Sequence, residues 1–346
     1  MSYSTCVIER KILYSNLENI KKYCPRVFAM VKANAYGCGV KEICLALKNK
    51  VDFFGVACLK EALEIRGFDK TSNILIVGIC ENIKLAIENN ISITIENLQD
   101  FNKLLKIVKK NEKNLENNNK IAKIHVKINS GMNRLGLKTT NEFKKLLDIY
   151  FKSNLKSLIK IEGVFTHFAS KKLLASQVKK FKGFINILPS LIDPIIHIGG
   201  GIGKELVQNF ENVYLRVGID LYTEPAYILH LESKVIKVFS VKAGEYVGYD
   251  NAYMANNKEY IAVIPLGYAD GIKRKLSGEC VKINNKNYKI IGNICMDIFF
   301  VCVDKTVKRG DKVIINLNSW AKKCDTINYE ILTSINHRRF NNKIIY

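Results

Sequence analysis

The chain is poor in the features that mark several protein classes. Of its 346 residues only five are proline and one is tryptophan, and acids are far outnumbered by bases, 32 against 54. No apolar run approaches the roughly 20 residues that cross a bilayer. The amino-terminal stretch MSYSTCVIERKIL lacks the basic start and sustained apolar core of a secretory leader. A membrane role is therefore not expected, and a cytoplasmic location is. There are ten cysteines, but none is spaced CxxC, and Cys44, Cys58, Cys80 and Cys302 sit in apolar stretches where a thiol behaves as a small hydrophobe. Reduced thiols are expected, with no disulfide framework and no metal site.

The excess of bases gives a formal net charge of +22. A basic face attracts phosphate backbones, but here the lysines are spread along the chain among asparagine and isoleucine, as in KIVKKNEKNLENNNKIAK. Solvated helix faces account for that pattern. No nucleic-acid motif accompanies it, so a nucleic-acid partner is not expected.

What the chain does contain is alternation. Short runs rich in β-branched and aromatic residues fall at 27–31, 53–57, 74–77, 91–95, 122–128, 161–165, 194–198 and 213–217. Between them lie VKEICLALK, KEALEIR, ENIKLAIENN, DFNKLLKIVKK and NEFKKLLDIYF, with apolar residues at helical spacing. Near-continuous apolar strands alternating with helices indicate a parallel sheet covered on both faces. Eight such repeats indicate an α/β fold with an N-terminal (β/α)8 TIM-like barrel; an open doubly wound sheet is the alternative. After residue 226 the pattern changes to short alternating runs such as EYIAVIPL, KNYKIIGNI and DKVIINL, separated by turn signals. The expected division is a barrel over 1–226 and a C-terminal all-β domain over 227–346. The first ten residues, with the strand-like TCVIE, could join either.

Three clusters carry candidate chemistry. Lys32 ends the apolar run VFAMV and opens the small polar loop KANAYGCG. The carboxyl ends of barrel strands face the reaction site, and a desolvated lysine loses its proton readily and can form a Schiff base. A lysine that snorkels from a strand end is the structural alternative. HIGGGIG at 197–203 leaves backbone N–H groups able to approach a phosphate, or forms a tight turn. Arg216, inside the strand-like LRVGIDLY, needs a partner, either a structural carboxylate or an acceptor on a ligand.

Together with GMNRLG, THFA, AGEYVGYDNAY, PLGYADG and IGNICMD, which follow one another along nearly the whole chain, these pieces resemble the alanine racemase family, the barrel-type pyridoxal-phosphate enzymes. The resemblance implies interconversion of L- and D-alanine to supply D-alanine for peptidoglycan. Lys32 would carry pyridoxal 5'-phosphate and act as one acid/base, and Tyr249 would act as the other on the opposite face. A racemase for serine or a broader set of amino acids, or a non-catalytic pyridoxal-phosphate carrier, is the alternative on this scaffold. By the same resemblance Arg216 bonds the pyridine nitrogen, and Tyr36, Gly201, Gly218, Ile219 and Tyr346 surround the phosphate. His167 joins the network that activates Tyr249. Arg134 contacts the substrate carboxylate, Tyr268 and Met296 lie near the substrate with Asp297 at the entrance, and Lys127 supports Arg134, carbamylated in some relatives. The family's sites are shared across a homodimer. Departures from its pattern are Cys38 for histidine, Asp250 for glycine, Asn129–Ser130 for Asp–Thr, and the glycines of HIGGGIG for an asparagine and a serine. Loss of the serine removes a phosphate hydrogen bond worth about 1.5–3 kcal/mol if charge-assisted, so weaker cofactor retention is expected.

Overall fold

The structure, a computed structural model, describes residues 4–168, 170–199, 203–335 and 339–345. It has two compact units. One comprises Leu17–Ala33 and Ile43–Leu221, the other Met1–Asn16, Asn34–Glu42 and Tyr222–Tyr346.

The chain begins with strand β1 (Thr5–Glu9), which belongs to the second of these units. The first unit is a closed parallel barrel of eight strands, β2 (Val27–Met30), β3 (Phe53–Val56), β4 (Ile74–Ile76), β5 (Ser92–Ile95), β6 (Ala122–Lys127), β7 (Ile159–His167), β8 (Ile195–Gly199) and β9 (Tyr214–Val217). Every residue of β2, β3, β4 and β5 is buried. That burial on both faces is why β2, β3 and β4 read as near-continuous apolar runs, while in β5 Ser92 and Thr94 are buried with hydrogen bonds to Glu162 and the Ile76 carbonyl. Closure is made by β9 against β2, Val27 opposite Leu215 and Ala29 opposite Val217. The intervening helices begin with their own caps: Asn97 accepts from the Asp100 amide at the head of Leu98–Lys110, and Thr139 and Glu142 form a reciprocal capping box on Thr140–Lys152.

Two irregularities decide what the barrel can hold. Strand β7 runs longer than its sequence suggests, so that His167 is its last residue. Its pairing with β6 also slips by one residue, Ile124 facing Ile161 but His125 facing Gly163, leaving Glu162 unpaired in the ladder. Such a bulge re-aims a side chain.

The second unit holds a nine-stranded sheet. Its remaining strands are β10 (Leu229–Lys234), β11 (Lys237–Val241), β12 (Glu259–Ile264), β13 (Cys280–Ile283), β14 (Lys286–Ile291), β15 (Phe299–Val303), β16 (Lys312–Asn316) and β17 (Asn341–Ile345), in the order β11-β12-β15-β14-β13-β16-β10-β1-β17. All neighbours are antiparallel except β1 and β17, which run parallel. Strand β17 was not apparent from sequence, because NNKII carries no clean alternation. All ten cysteines are free thiols, six of them buried. Among the described residues no helix is long and apolar enough to cross a membrane.

Candidate active site

Lys32 stands two residues past the end of β2 and opens a helical turn, Lys32–Tyr36. The turn is left-handed: Ala33, Asn34, Ala35 and Tyr36 have φ between 52° and 54°. Each such non-glycine residue costs about 1–2 kcal/mol, so the segment stores strain of the kind found at functional sites. Specific bonds hold it. The Ala33 amide donates to Glu61 Oε1 at 2.7 Å, and Glu61 Oε2 takes the Ala57 amide, also at 2.7 Å. Asn34 Oδ1 accepts from the Val40 amide at 2.8 Å, and the Gly39 amide donates to the Asn34 carbonyl. Partial burial, reinforced by the charge of Arg134 and opposed by Glu61, lowers the pKa of Lys32 from the usual lysine value.

Further cations gather at the same end of the barrel. Lys127 closes β6. The chain then turns through a loop pinned where the Leu137 amide donates to the Lys127 carbonyl and the Asn129 amide donates to the Leu137 carbonyl, both at 2.9 Å. Gly136 permits this return: at φ 111°, a Cβ there would lie 2.8 Å from the Lys127 carbonyl oxygen. Asn129 does the work of an aspartate, its Oδ1 accepting from the amides of Gly131 and Asn133, and Ser130 Oγ meets Thr166 Oγ1 at 2.7 Å. Arg134 sits exposed in this loop. His167 registers the whole cluster: burial first, then the charges of Arg216, Arg134, Lys32 and Lys127, push it down to about 3. The imidazole is neutral at physiological pH.

Arg216 projects from β9 into the barrel and is buried, with Phe165 beneath its guanidinium, 4.6 Å to the ring centre. It donates to His197 Nδ1 at 2.8 Å, to the His197 carbonyl at 3.2 Å and to the Thr166 carbonyl at 2.7 Å. Burial and the charge of Arg134 push its pKa down to about 9. Among the described residues its side-chain partners are this imidazole and these two carbonyls rather than a carboxylate. Gly218 and Ile219 follow directly after Val217 ends β9, and the Leu221 amide donates to the Gly218 carbonyl at 3.0 Å.

The other candidate residues lie in the second unit. Tyr36 is buried there, its ring 5.0 Å from that of Tyr222 and 5.7 Å from that of Tyr329. Tyr249 is 68 % exposed; Asn293 donates to its carbonyl at 3.2 Å and to Asp250 Oδ2 at 3.1 Å. Asp250, where glycine is usual, adopts φ 61°. Tyr268 and Met296 are neighbours, because the Tyr268 and Ala269 amides donate to the Cys295 and Met296 carbonyls at 3.0 Å. Gly267 makes that approach possible; a Cβ there would lie 2.2 Å from the Met296 carbonyl oxygen. Asp297 is bound by Arg339 at 2.8 Å, which also reaches the buried Asp270 at 3.0 Å. Gly201 and Tyr346 lie outside the described residues.

Sequence reasoning missed Glu61, Glu96, Arg339 and the Lys204–Asp220 pair, 2.7 Å apart. Glu96 meets Lys127 at 3.1 Å with both side chains buried. The signal available for Glu96 was an acid at the end of an apolar strand, and for Lys204 a lysine directly after the glycine cluster.

A barrel that gathers an amine of lowered pKa, three further basic groups and a neutral histidine at the carboxyl ends of its strands has its chemistry where barrel enzymes of this class place it. The comparisons name the family. The model of the alanine racemase N-terminal domain matches residues 8–225, and that of the C-terminal domain residues 228–343. Alanine racemase of Staphylococcus epidermidis is 33% identical over 342 residues, covering 90% of this chain and 86% of its own. Among solved structures, alanine racemase from E. faecalis has a TM-score of 0.90 at 26% identity, covering 99% of this chain and 98% of its own, and that of Clostridium difficile 630 a TM-score of 0.87 at 30% identity, covering 100% and 96%. A histidine racemase from Leuconostoc mesenteroides, 22% identical with a TM-score of 0.87, shares the fold alone. The chain belongs to the alanine racemase family and is an isomerase.

Proposed function

We propose that this enzyme interconverts L- and D-alanine with pyridoxal 5'-phosphate, in the cytoplasm, supplying D-alanine for peptidoglycan. The observation that carries the reading is the pairing of an amine with a lowered pKa, Lys32, with a cluster of Arg134, Lys127 and Arg216 around a neutral His167. That donor set suits a ligand bearing a phosphate and a substrate bearing a carboxylate. Lys32 would hold the cofactor covalently, Arg216 would donate to its pyridine nitrogen, and Tyr36, Gly201, Gly218, Ile219, His167 and Tyr346 would surround it. When bound, the cofactor supplies an acceptor for the electron pair left at Cα.

The residues then divide the work. Arg134 would orient the substrate carboxylate. Lys32 Nζ would move a proton at one face of Cα and the Tyr249 hydroxyl at the other, because one base returning the proton to the side it came from would not racemise. Arg216 would donate a hydrogen bond to the cofactor without giving up a full proton, which would favour return of a proton to Cα. The exposure of Tyr249 within its own unit fits a residue offered to a second copy, so the active form would be a homodimer with shared sites. Tyr268, Met296 and Asp297 would set side-chain size at the entrance.

The test is racemisation measured across alanine, serine, histidine and other amino acids, with Lys32→Ala and Tyr249→Phe as controls. Turnover of alanine, lost in both variants, is expected, with a visible absorbance that borohydride removes. Preference for serine or a broad set would move the reading to that alternative, absorbance without turnover would make the chain a carrier, and full activity in either variant would refute the two-base assignment. An active, rigorously monomeric preparation would refute the shared site.

A further inference from the structure

Beneath the proposed site, inside the barrel, a line of polar side chains crosses the core from Arg216 to Glu162. Arg216 donates to His197 Nδ1 at 2.8 Å, His197 Nε2 meets His125 Nδ1 at 2.8 Å, and His125 Nε2 meets Glu162 Oε2 at 3.1 Å. Ser92 Oγ donates to the same Glu162 oxygen at 2.5 Å, and Lys123 Nζ lies 3.9 Å from the other. Both imidazoles are fully buried. Space has been cleared for them: a Cβ at Gly163 would lie 2.1 Å from His125 Nδ1, and one at Gly199 would lie 2.6 Å from the Arg216 guanidinium. Phe28 and Phe165 stack on His197, with ring centres 4.6 and 4.5 Å away. The bulge in β7 delivers Glu162 to the far end of the line.

The hydrogen positions follow from donor chemistry. A guanidinium has only donors, so His197 Nδ1 must accept and the proton of that ring sits on Nε2. His125 Nδ1 then accepts, and its proton also sits on Nε2, pointing at Glu162. An ionised carboxylate has only acceptors, so the far end demands the same direction. Each ring therefore has one accepting and one donating nitrogen and is neutral; burial lowers the pKa of both, aided at His197 by the charge of Arg216 and opposed at His125 by the bond and charge of Glu162. Three bonds thus run one way, from a buried cation to a buried anion, with no mismatch.

We propose that Glu162 is a positioning residue for Arg216: through His125 and His197 its carboxylate supplies the counter-charge of the buried guanidinium and holds the direction in which its hydrogens point. This rests on the reading that Arg216 serves the cofactor nitrogen. A carboxylate touching Arg216 directly would compete for the hydrogens the ligand needs, whereas one placed two imidazoles away compensates the charge and leaves part of the fork free. Partners of this indirect kind typically change affinity or activity by about 10–100-fold when removed.

The experiment uses the full-length protein labelled with 15N in histidine, of which the chain has five, recorded with and without pyridoxal phosphate. In the cofactor-free wild type, His125 and His197 are expected to be neutral at neutral pH with the proton on Nε2. A proton on His197 Nδ1, or an imidazolium at either site, overturns the assignment. In Glu162→Gln, which keeps the shape and removes the charge, the ring nitrogens of His197 are expected to shift although it touches neither residue 162 nor solvent. In the loaded enzyme kcat is expected to fall about 10–100-fold with KM little changed. Ser92→Ala removes one bond to the carboxylate and should move both readouts the same way by less, which keeps the test open if Glu162→Gln fails to fold. Unchanged His197 signals with unchanged kcat make Glu162 a packing residue and refute the proposal. Correct histidine signals in a protein that racemises nothing would instead fault the functional reading and leave the relay standing.

Discussion

Glu96→Gln tests the electrostatics of the barrel mouth most directly. Lys127 and Glu96 are 3.1 Å apart, their side chains 8% and 4% exposed. Unit charges at about 4 Å attract by roughly 4 kcal/mol at an effective dielectric constant of 20, and stranding one member of a buried pair costs about 3–5 kcal/mol when it stays charged. Lys127 has a way out. Burial first, and the charges of Arg134 and Arg216 after the opposing pull of Glu96, already lower its pKa, so losing Glu96 makes the proton easier to release and the expected loss falls near the lower bound, about 3 kcal/mol. For a unit of this size that is a fall in Tm of roughly 6–12 °C, read by calorimetry. The double variant Glu96→Leu with Lys127→Met should recover most of it, since an apolar pair removes both charges together. The same pairing bears on carbamylation. Attack on carbon dioxide needs a neutral amine, and the product would set a second anion beside Glu96. Wild-type protein in 13C-labelled bicarbonate should therefore show no carbamate signal, and Glu96→Gln should show one. A carbamate in the wild type, or a Glu96→Gln loss below about 1 kcal/mol, the range of exposed pairs, would refute the reasoning.

Two further outcomes follow from geometry and charge. Ala33→Gly should leave stability unchanged or raise it by up to about 1 kcal/mol in denaturant titration, because relief of a left-handed residue offsets the usual entropic cost of glycine; a loss of 1 kcal/mol or more would argue against a strained turn. Stability should also fall in acid as pH drops from 6.5 toward 3. His167, held down to about 3, stays neutral in the folded chain while the unfolded chain takes up a proton, so the unfolded state binds more protons across that window and gains from acid. Melts that are flat from neutrality to pH 5, or that improve, would show that His167 is not buried among cations.

Much of the barrel was legible because its periodicity is local. VFAMV, FFGVA and ILIV read as strands since each is buried on both faces, and Lys32 stood out as a charge at the end of one. The extent of β7 was less legible. Glu162 looked like an ordinary strand residue, and only the slip against β6 turns it into the core. Strand β17 escaped because what makes NNKII a strand is its pairing with β1, more than three hundred residues away in sequence.

Local pattern determined where most of the strands and helices lie and marked Lys32 and Arg216 as charges in apolar surroundings, because hydrophobic period and residue type are properties of short stretches of chain. Partnership was decided by the tertiary structure. Nothing in the order of residues tells Lys127 that it faces Glu96, Lys204 that it meets Asp220, or Arg216 that its counter-charge lies beyond two histidines. Those pairings depend on the closure and stagger of the barrel, which bring residues 31, 16 and 54 positions apart to one place. The left-handed turn at Lys32 belongs with them. Alanine does not ask for that conformation, and although the Val40 amide that bonds Asn34 is close in sequence, Glu61, which takes the Ala33 amide, is 28 residues away.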